Sequence, residues 1–144
     1  KTAKRFFAFE MYPESLYTHQ QALLTSLVIE DYDLQQVSIL CNNIACSLAA
    51  STQYSQAIAY FNYALSTDNS SNNHTIALVN LGQLYLLQND YSMALDYLNQ
   101  ALPQVKLLER KSDFYLTRVE HQIVMAKQET TECDYSKSDF ILLE

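Results

Sequence analysis

CNNIACSLAASTQYSQAIAYFNYAL, from Cys41 to Leu65, and LVNLGQLYLLQNDYSMALDYLNQAL, from Leu78 to Leu102, are two copies of one pattern. Shifted by 37 positions they align without a gap. Asn43 then falls on Asn80, Ala45 on Gly82, Tyr54 on Tyr91, Ala57 on Ala94, Phe61 on Leu98, and Ala64-Leu65 on Ala101-Leu102. A helical pattern that repeats at such a period predicts a solenoid of helix pairs, in which each unit buries its apolar face only by stacking on its neighbour.

The two copies resemble tetratricopeptide repeats, whose unit is roughly 34 residues of helix, turn and helix. The resemblance rests on Cys41, Ile44-Ala45, Leu48, Ala57, Phe61 and Ala64 in the first copy. In the second it rests on Leu78, Leu81-Gly82, Tyr85, Ala94, Leu98 and Ala101, the closer match. The small residues, Ala45 with Ala57 and Gly82 with Ala94, are expected where helices A and B of a unit cross closely. Glycine inside a helix costs roughly 1 kcal/mol relative to alanine, so the single glycine of the chain calls for a packing reason. The family closes helix B with proline, whereas Asn69 and Lys106 stand at those places here. Pro103 comes three residues early and predicts a bend near Leu102. The residues beyond the family's period are assigned to the loop Ser66 to Thr75.

The resemblance implies an all-α, right-handed superhelical solenoid of antiparallel helix pairs in one domain. Its units are a partial leading one (1–33), repeat one (38–74), repeat two (75–111) and a divergent or capping unit (112–144).

Composition narrows the function classes. Of 144 residues 49% are apolar and 17% charged, with one Gly and two Pro, which favours long helices over sheet. From Phe6 to Val105 there is no Lys or Arg against eight acidic residues, within a net charge of −7. Nucleic-acid binding by the repeats is therefore not expected, because release of counterions from phosphates needs several cations on one surface. No apolar run approaches the roughly 20 residues that span a bilayer, so membrane insertion is not expected. The missing initiator Met points to a fragment that starts within a repeat. An odd set of cysteines without metal-ligand spacing, Cys41, Cys46 and Cys133, points to free thiols in a reducing compartment, cytoplasmic or nuclear. The sequons at Asn69 and Asn73 are read as chance matches in an Asn/Ser-rich loop.

In chain order, Phe6, Phe7, Phe9 and Met11 read as the end of a truncated helix A. Pro13 and Glu14 open the next helix, whose stripe is Leu16, Leu23, Leu24, Leu27 and Val28; Leu24 falls where Phe61 and Leu98 fall. The periodicity then predicts helices over 34–50, 54–66, 75–87, 91–105 and 112–128, with Thr67 to His74 as the one flexible loop. Phe114, Leu116, Val119, Ile123 and Ala126 form the last stripe, and Arg110, Lys111, Arg118 and Lys127 a solvated face. After them Asp134-Tyr135-Ser136 echoes Asp90-Tyr91-Ser92, and Ile141-Leu142 reads as the remnant of a helix B.

No constellation for catalysis is present. His19, His74 and His121 are isolated, and there is no HExxH, CxxC or glycine-rich loop. Cys46 reads as a buried small hydrophobe. Neither a cofactor nor a metal is expected.

Binding is the expectation, and the resemblance implies its place. In this family the A helices line a concave groove, and an Asn two residues before the signature Gly often holds the backbone of an extended peptide. That position is Asn43 in repeat one and Asn80 in repeat two. An amide side chain donates and accepts at once, so it clamps a peptide group whatever its side chain. The alternative is that these residues solvate the groove or cap local carbonyls. Stacking predicts a surface of Asn42, Asn43, Cys46, Val79, Asn80, Gln83 and Leu86, uncharged and half apolar. The grasp of an acidic chaperone tail by Lys, Asn and Arg, known in this family, is not expected, because Asn42 and Cys46 replace its first residues and its cations are absent.

The expected function is that of a protein–protein interaction scaffold or adaptor. Its partner is a peptide or helix that is neutral, apolar or basic, within a larger complex in one version. Two other readings stay open: a structural or self-associating array whose groove is filled by the chain's own elements, and the effector-sensing region of a larger regulator.

Overall fold

A computed structural model describes residues 2–28, 33–67, 71–108, 112–129 and 139–143. Seven helices are present among them, and no strand. They are α1 (Thr2–Ala8), α2 (Tyr12–Val28), α3 (Leu34–Ala50), α4 (Tyr54–Thr67), α5 (Ser71–Leu87), α6 (Tyr91–Val105) and α7 (Ser112–Lys127). Packing is strongest within the pairs α3/α4 and α5/α6, and each helix also packs on the next in the chain. In addition α5 touches both α3 and α7, so these three lie side by side as the helix A row of a solenoid.

Local chemistry explains the repeated turn between the helices of a pair. Helices α1, α3, α5 and α7 are each followed, two residues past their last, by a residue in the left-handed region: Glu10, Thr52, Asn89 and Glu129 (φ 59°, 64°, 60° and 52°). After α3 the Gln53 N–H donates to the Leu48 carbonyl at 2.8 Å, and after α5 the Asp90 N–H donates to the Tyr85 carbonyl at 2.9 Å. After α1 the Met11 N–H donates to the Phe6 carbonyl at 2.7 Å. These are the bonds that stop a helix by satisfying its last carbonyls. The side chain of Asp90 then accepts from the Met93 N–H at 3.2 Å and starts α6, as Asp33 accepts from Gln35 at 2.9 Å to start α3.

The core has two main parts. Ile44, Ala45, Leu48, Ala57, Phe61, Leu81 and Leu84 form one, around α3 and α4, with Phe7 from α1. Leu78, Val79, Ala94, Leu98, Ala101, Val105, Val119 and Ile123 form the other, which joins α5, α6 and α7. Gly82 sits where α5 and α6 cross closely. A Cβ built on it would lie 2.5 Å from Cδ2 and 2.6 Å from Cγ of Leu98.

Helices α3 and α6 lie where the periodicity puts them, and four expectations are corrected. The loop Thr67 to His74 is largely helix, since α4 runs to Thr67 and α5 begins at Ser71. Tertiary contact holds that extra turn: the buried Thr75 hydroxyl donates to Gln104 Oε1 at 2.9 Å, and His74 Nδ1 lies 3.3 Å from the same oxygen. Asn73 of the second sequon is thus a buried helical residue. On α2 the buried face is Ser15 and His19, with Leu16 and Leu23 packed against the core, whereas Leu24 is 56% exposed and Leu27 and Val28 also face solvent. The register is one position away from the expected stripe, because Ser15 accepts a hydrogen bond from Ser47 of α3 at 3.0 Å and itself lies 3.5 Å from His19 Nδ1, a polar chain in place of an apolar surface.

On α7 Phe114 is exposed, and Arg118 is buried rather than part of a solvated face. Lastly, Ile141 and Leu142 are not helical. Asn69, Arg110, Lys111, Cys133 and Asp134 to Ser136 lie outside the described residues.

Candidate functional site

The expected groove residues come together on α3 and α5, and all seven are buried: Asn42, Asn43, Cys46, Val79, Asn80, Gln83 and Leu86. Two elements of the same chain cover them. Over Val79 and Leu86 lies the core shared with α7, and Gln83 Oε1 accepts a hydrogen bond from Gln122 Nε2 of that helix. Over the asparagines lies the stretch Phe140 to Leu143.

That stretch is bound as a peptide. Asn80 Oδ1 accepts from the Ile141 N–H at 2.8 Å, and Asn80 Nδ2 donates to the Ile141 carbonyl at 2.8 Å. Two residues on, Asn43 repeats the arrangement with Leu143, again at 2.8 Å in both directions. One amide thus satisfies both polar groups of one residue. Residues two apart in an extended chain point the same edge at the same side, about 6.6 Å apart, and neighbouring helices pack at 8–10 Å. One asparagine from each of α3 and α5 therefore meets every second residue of the bound segment.

Asn42 braces this ladder. Its Nδ2 donates to the Ile141 carbonyl at 3.0 Å, and its Oδ1 accepts from Asn80 Nδ2 at 3.0 Å. The Cys46 Sγ lies 3.5 Å from the same Ile141 carbonyl. Burial drives its thiol pKa well above the ordinary value, and that of Cys41 up to about 11, so both stay protonated and neither is poised as a nucleophile.

Apolar contacts complete the grip. Phe140 is 4% exposed, its ring centroid 6.5 Å from that of Phe61. Leu142 packs on the same core, while Ile141 packs on the core shared with α7. Sequence reasoning left open a groove filled by the chain's own elements but did not identify this segment as the occupant. Its only trace is the apolar run Phe140-Ile141-Leu142-Leu143 after a polar stretch.

Past Leu143 a cavity of about 490 Å³ continues between α1, α2 and α3, lined by Lys4, His19, Gln36, Leu40 and Asn43 among others. Burial lowers the pKa of His19 to about 4, against a hydrogen bond to the Ser15 backbone that works the other way; the Lys4 charge adds to the lowering. The unfolded chain takes up this proton near pH 6.5, so stability is full above that pH and falls as the pH drops toward 4. The loss should be on the order of 2–3 kcal/mol. Urea unfolding at pH 7.5 and 4.5 should therefore show a larger acid loss in the wild type than in His19→Asn; equal losses would contradict this account.

Among the described residues no group of His, Cys, Asp and Glu could hold a metal ion, and no helix is long and apolar enough to cross a membrane. Searches of curated proteins and of solved structures give no match. The family comparison does give one: residues 42–106, from the first groove asparagine to the end of the second helix pair, match a tetratricopeptide repeat model. With helix pairs stacked as that repeat requires and the small residue Gly82 at the crossing, the stretch 42–106 is similar to tetratricopeptide repeats.

Proposed function

We propose that this chain is a protein-interaction module whose groove, lined by Asn42, Asn43, Cys46 and Asn80, takes an extended segment of a partner protein. Tetratricopeptide repeats generally mediate protein–protein interaction and are typically non-catalytic scaffolds. The observation that carries the reading is the paired bonding of Asn80 to Ile141 and of Asn43 to Leu143. Those bonds go to backbone groups, so they serve any extended segment without proline at the two clamped positions. No cation stands among the clamping residues, which favours a neutral, apolar or basic partner over an acidic tail. Val79, Gln83 and Leu86 belong to the neighbouring interface with α7 and are not assigned to the partner. Buried free thiols at Cys41 and Cys46 agree with a reducing, cytoplasmic or nuclear setting.

Affinity capture from cell lysate, with the wild type beside an Asn43→Ala/Asn80→Ala variant of equal helicity, tests this function. A protein retained by the first and lost by the second is the expected result. Equal retention would place the interaction surface elsewhere. A second reading, a structural array whose groove is filled by its own chain, is favoured by the docked stretch itself; it takes the lead if nothing is retained.

A further inference from the structure

The occupant of the groove also describes the partner. We propose that Phe140–Leu143 is an intramolecular pseudo-ligand, and that the partner is an uncharged extended segment with three consecutive apolar residues, which binds by displacing it. This rests on the groove reading above.

Three observations define that segment. First, the backbone of two alternate residues is taken by Asn80 and Asn43, which fixes an extended conformation and its direction, from α5 toward α3. Second, the side chains between and before these clamps enter apolar surroundings on two sides. Phe140 and Leu142 meet the core around Phe61, and Ile141 meets the core shared with α7. A charge at Phe140 would be buried among apolar groups, at a cost far above that of a lost contact, and one at the partly buried Ile141 or Leu142 would lose part of its hydration for no gain. Third, the groups that bond the segment are neutral amides and a thiol held protonated, so none of them pairs with a charge on the occupant; the charge that reaches Cys46 is that of the buried Arg118. Such a site discriminates by rejecting charge as much as by attracting apolar groups.

Displacement follows from covalent connection. A segment tethered to its own site competes at an effective concentration in the millimolar range. A free segment of equal intrinsic affinity near 10 μM is therefore held back by roughly 100-fold, and one near 100 μM by roughly 10-fold. Release of the chain's own segment raises the apparent affinity by the same factor, because the binding-competent state becomes fully populated.

The test uses a fluorescently labelled peptide with the chain's own residues 138–144 and anisotropy titrations of the full chain. Two variants free the groove in different ways. Phe140→Asp/Leu142→Asp places charges in the apolar sites, and Ile141→Pro removes the N–H that Asn80 accepts from while keeping Phe140 and Leu142. Both variants should keep the wild-type helicity and bind the peptide roughly 10- to 100-fold more tightly than the wild type does. A peptide with Asp in place of the residue corresponding to Ile141 should bind them at least 10-fold more weakly.

Equal affinity for wild type and variants overturns displacement, yet leaves the groove function standing if Asn43→Ala/Asn80→Ala abolishes binding. No binding by variants of unchanged helicity overturns the groove function as well. Undiminished binding of the charged peptide refutes the apolar requirement. Loss of helicity in both variants also overturns the proposal, since the segment would then be part of the fold and not a replaceable ligand.

Discussion

Gly82→Leu should unfold the second repeat or cost more than about 3 kcal/mol, and even Gly82→Ala should lower the melting temperature. The sign is the informative part. In an open helix, alanine for glycine adds about 1 kcal/mol of stability. At position 82 the new Cβ would stand 2.5 Å from Leu98 Cδ2, closer than any real contact. Leu98 is fully buried between Ala94 and Ala101 on α6, so the movement it needs displaces other core atoms. Overpacking of this kind costs typically 1–3 kcal/mol, enough to reverse the propensity gain. Thermal melts of Gly82→Ala, Leu98→Ala and the double variant give the decisive comparison. Leu98→Ala alone should cost about 2–5 kcal/mol by leaving a cavity, and the double variant less than the sum, because the space vacated by Leu98 admits the methyl group. Additive effects, or a stabilised Gly82→Ala, would mean that α5 and α6 do not cross at this point.

Phe61→Ala is expected to have a comparable effect, with a second consequence at the groove. Phe61 is the largest fully buried side chain, and it supports both the α3/α4 core and the ring of Phe140. Truncation should cost about 3–5 kcal/mol, which at this chain length lowers the melting temperature by roughly 10 °C. Phe61→Leu nearly conserves volume and should cost under about 1.5 kcal/mol. Because Phe140 rests on Phe61, the alanine variant should also lose amide protection at Ile141 and Leu143 in hydrogen exchange before its helices open. Protection that persists up to global unfolding would show that the segment is held by its asparagines alone.

The legibility of this molecule in its sequence follows the range of the interactions. Helices α3 and α6 were readable because local signals agree on them: an aspartate cap at one end, an apolar stripe, and a copy elsewhere in the chain that doubles the signal. The start of α5 was not, because Ser71, Asn72 and Asn73 prefer turns and caps locally, whereas tertiary contacts such as those of Thr75 and His74 with Gln104 lie beyond any local signal. The stripe of α2 was misplaced by one step for a like reason, since Ser15 is buried against Ser47 and His19 against Ser15, polar contacts no hydropathy pattern announces. Asn43 and Asn80 were found through their repeat position. What lies on them was not, because Ile141 is 61 residues from Asn80 and Leu143 is 100 from Asn43, and nothing in a stretch of four apolar residues names its docking place.

The pairing of one asparagine with each of α3 and α5 makes the two repeats a ruler. Every repeat that carries the amide advances the clamped chain by two residues, so the length of segment such an array holds is counted in dipeptides, one for each unit. Inserting a third unit with its own asparagine between α4 and α5 would thus lengthen the clamped stretch from two rungs to three and demand an occupant longer by two residues. The four residues Phe140 to Leu143 would then no longer span it, and a protein extended in this way would change which segments it accepts through arithmetic alone, with every side chain of the existing groove left in place.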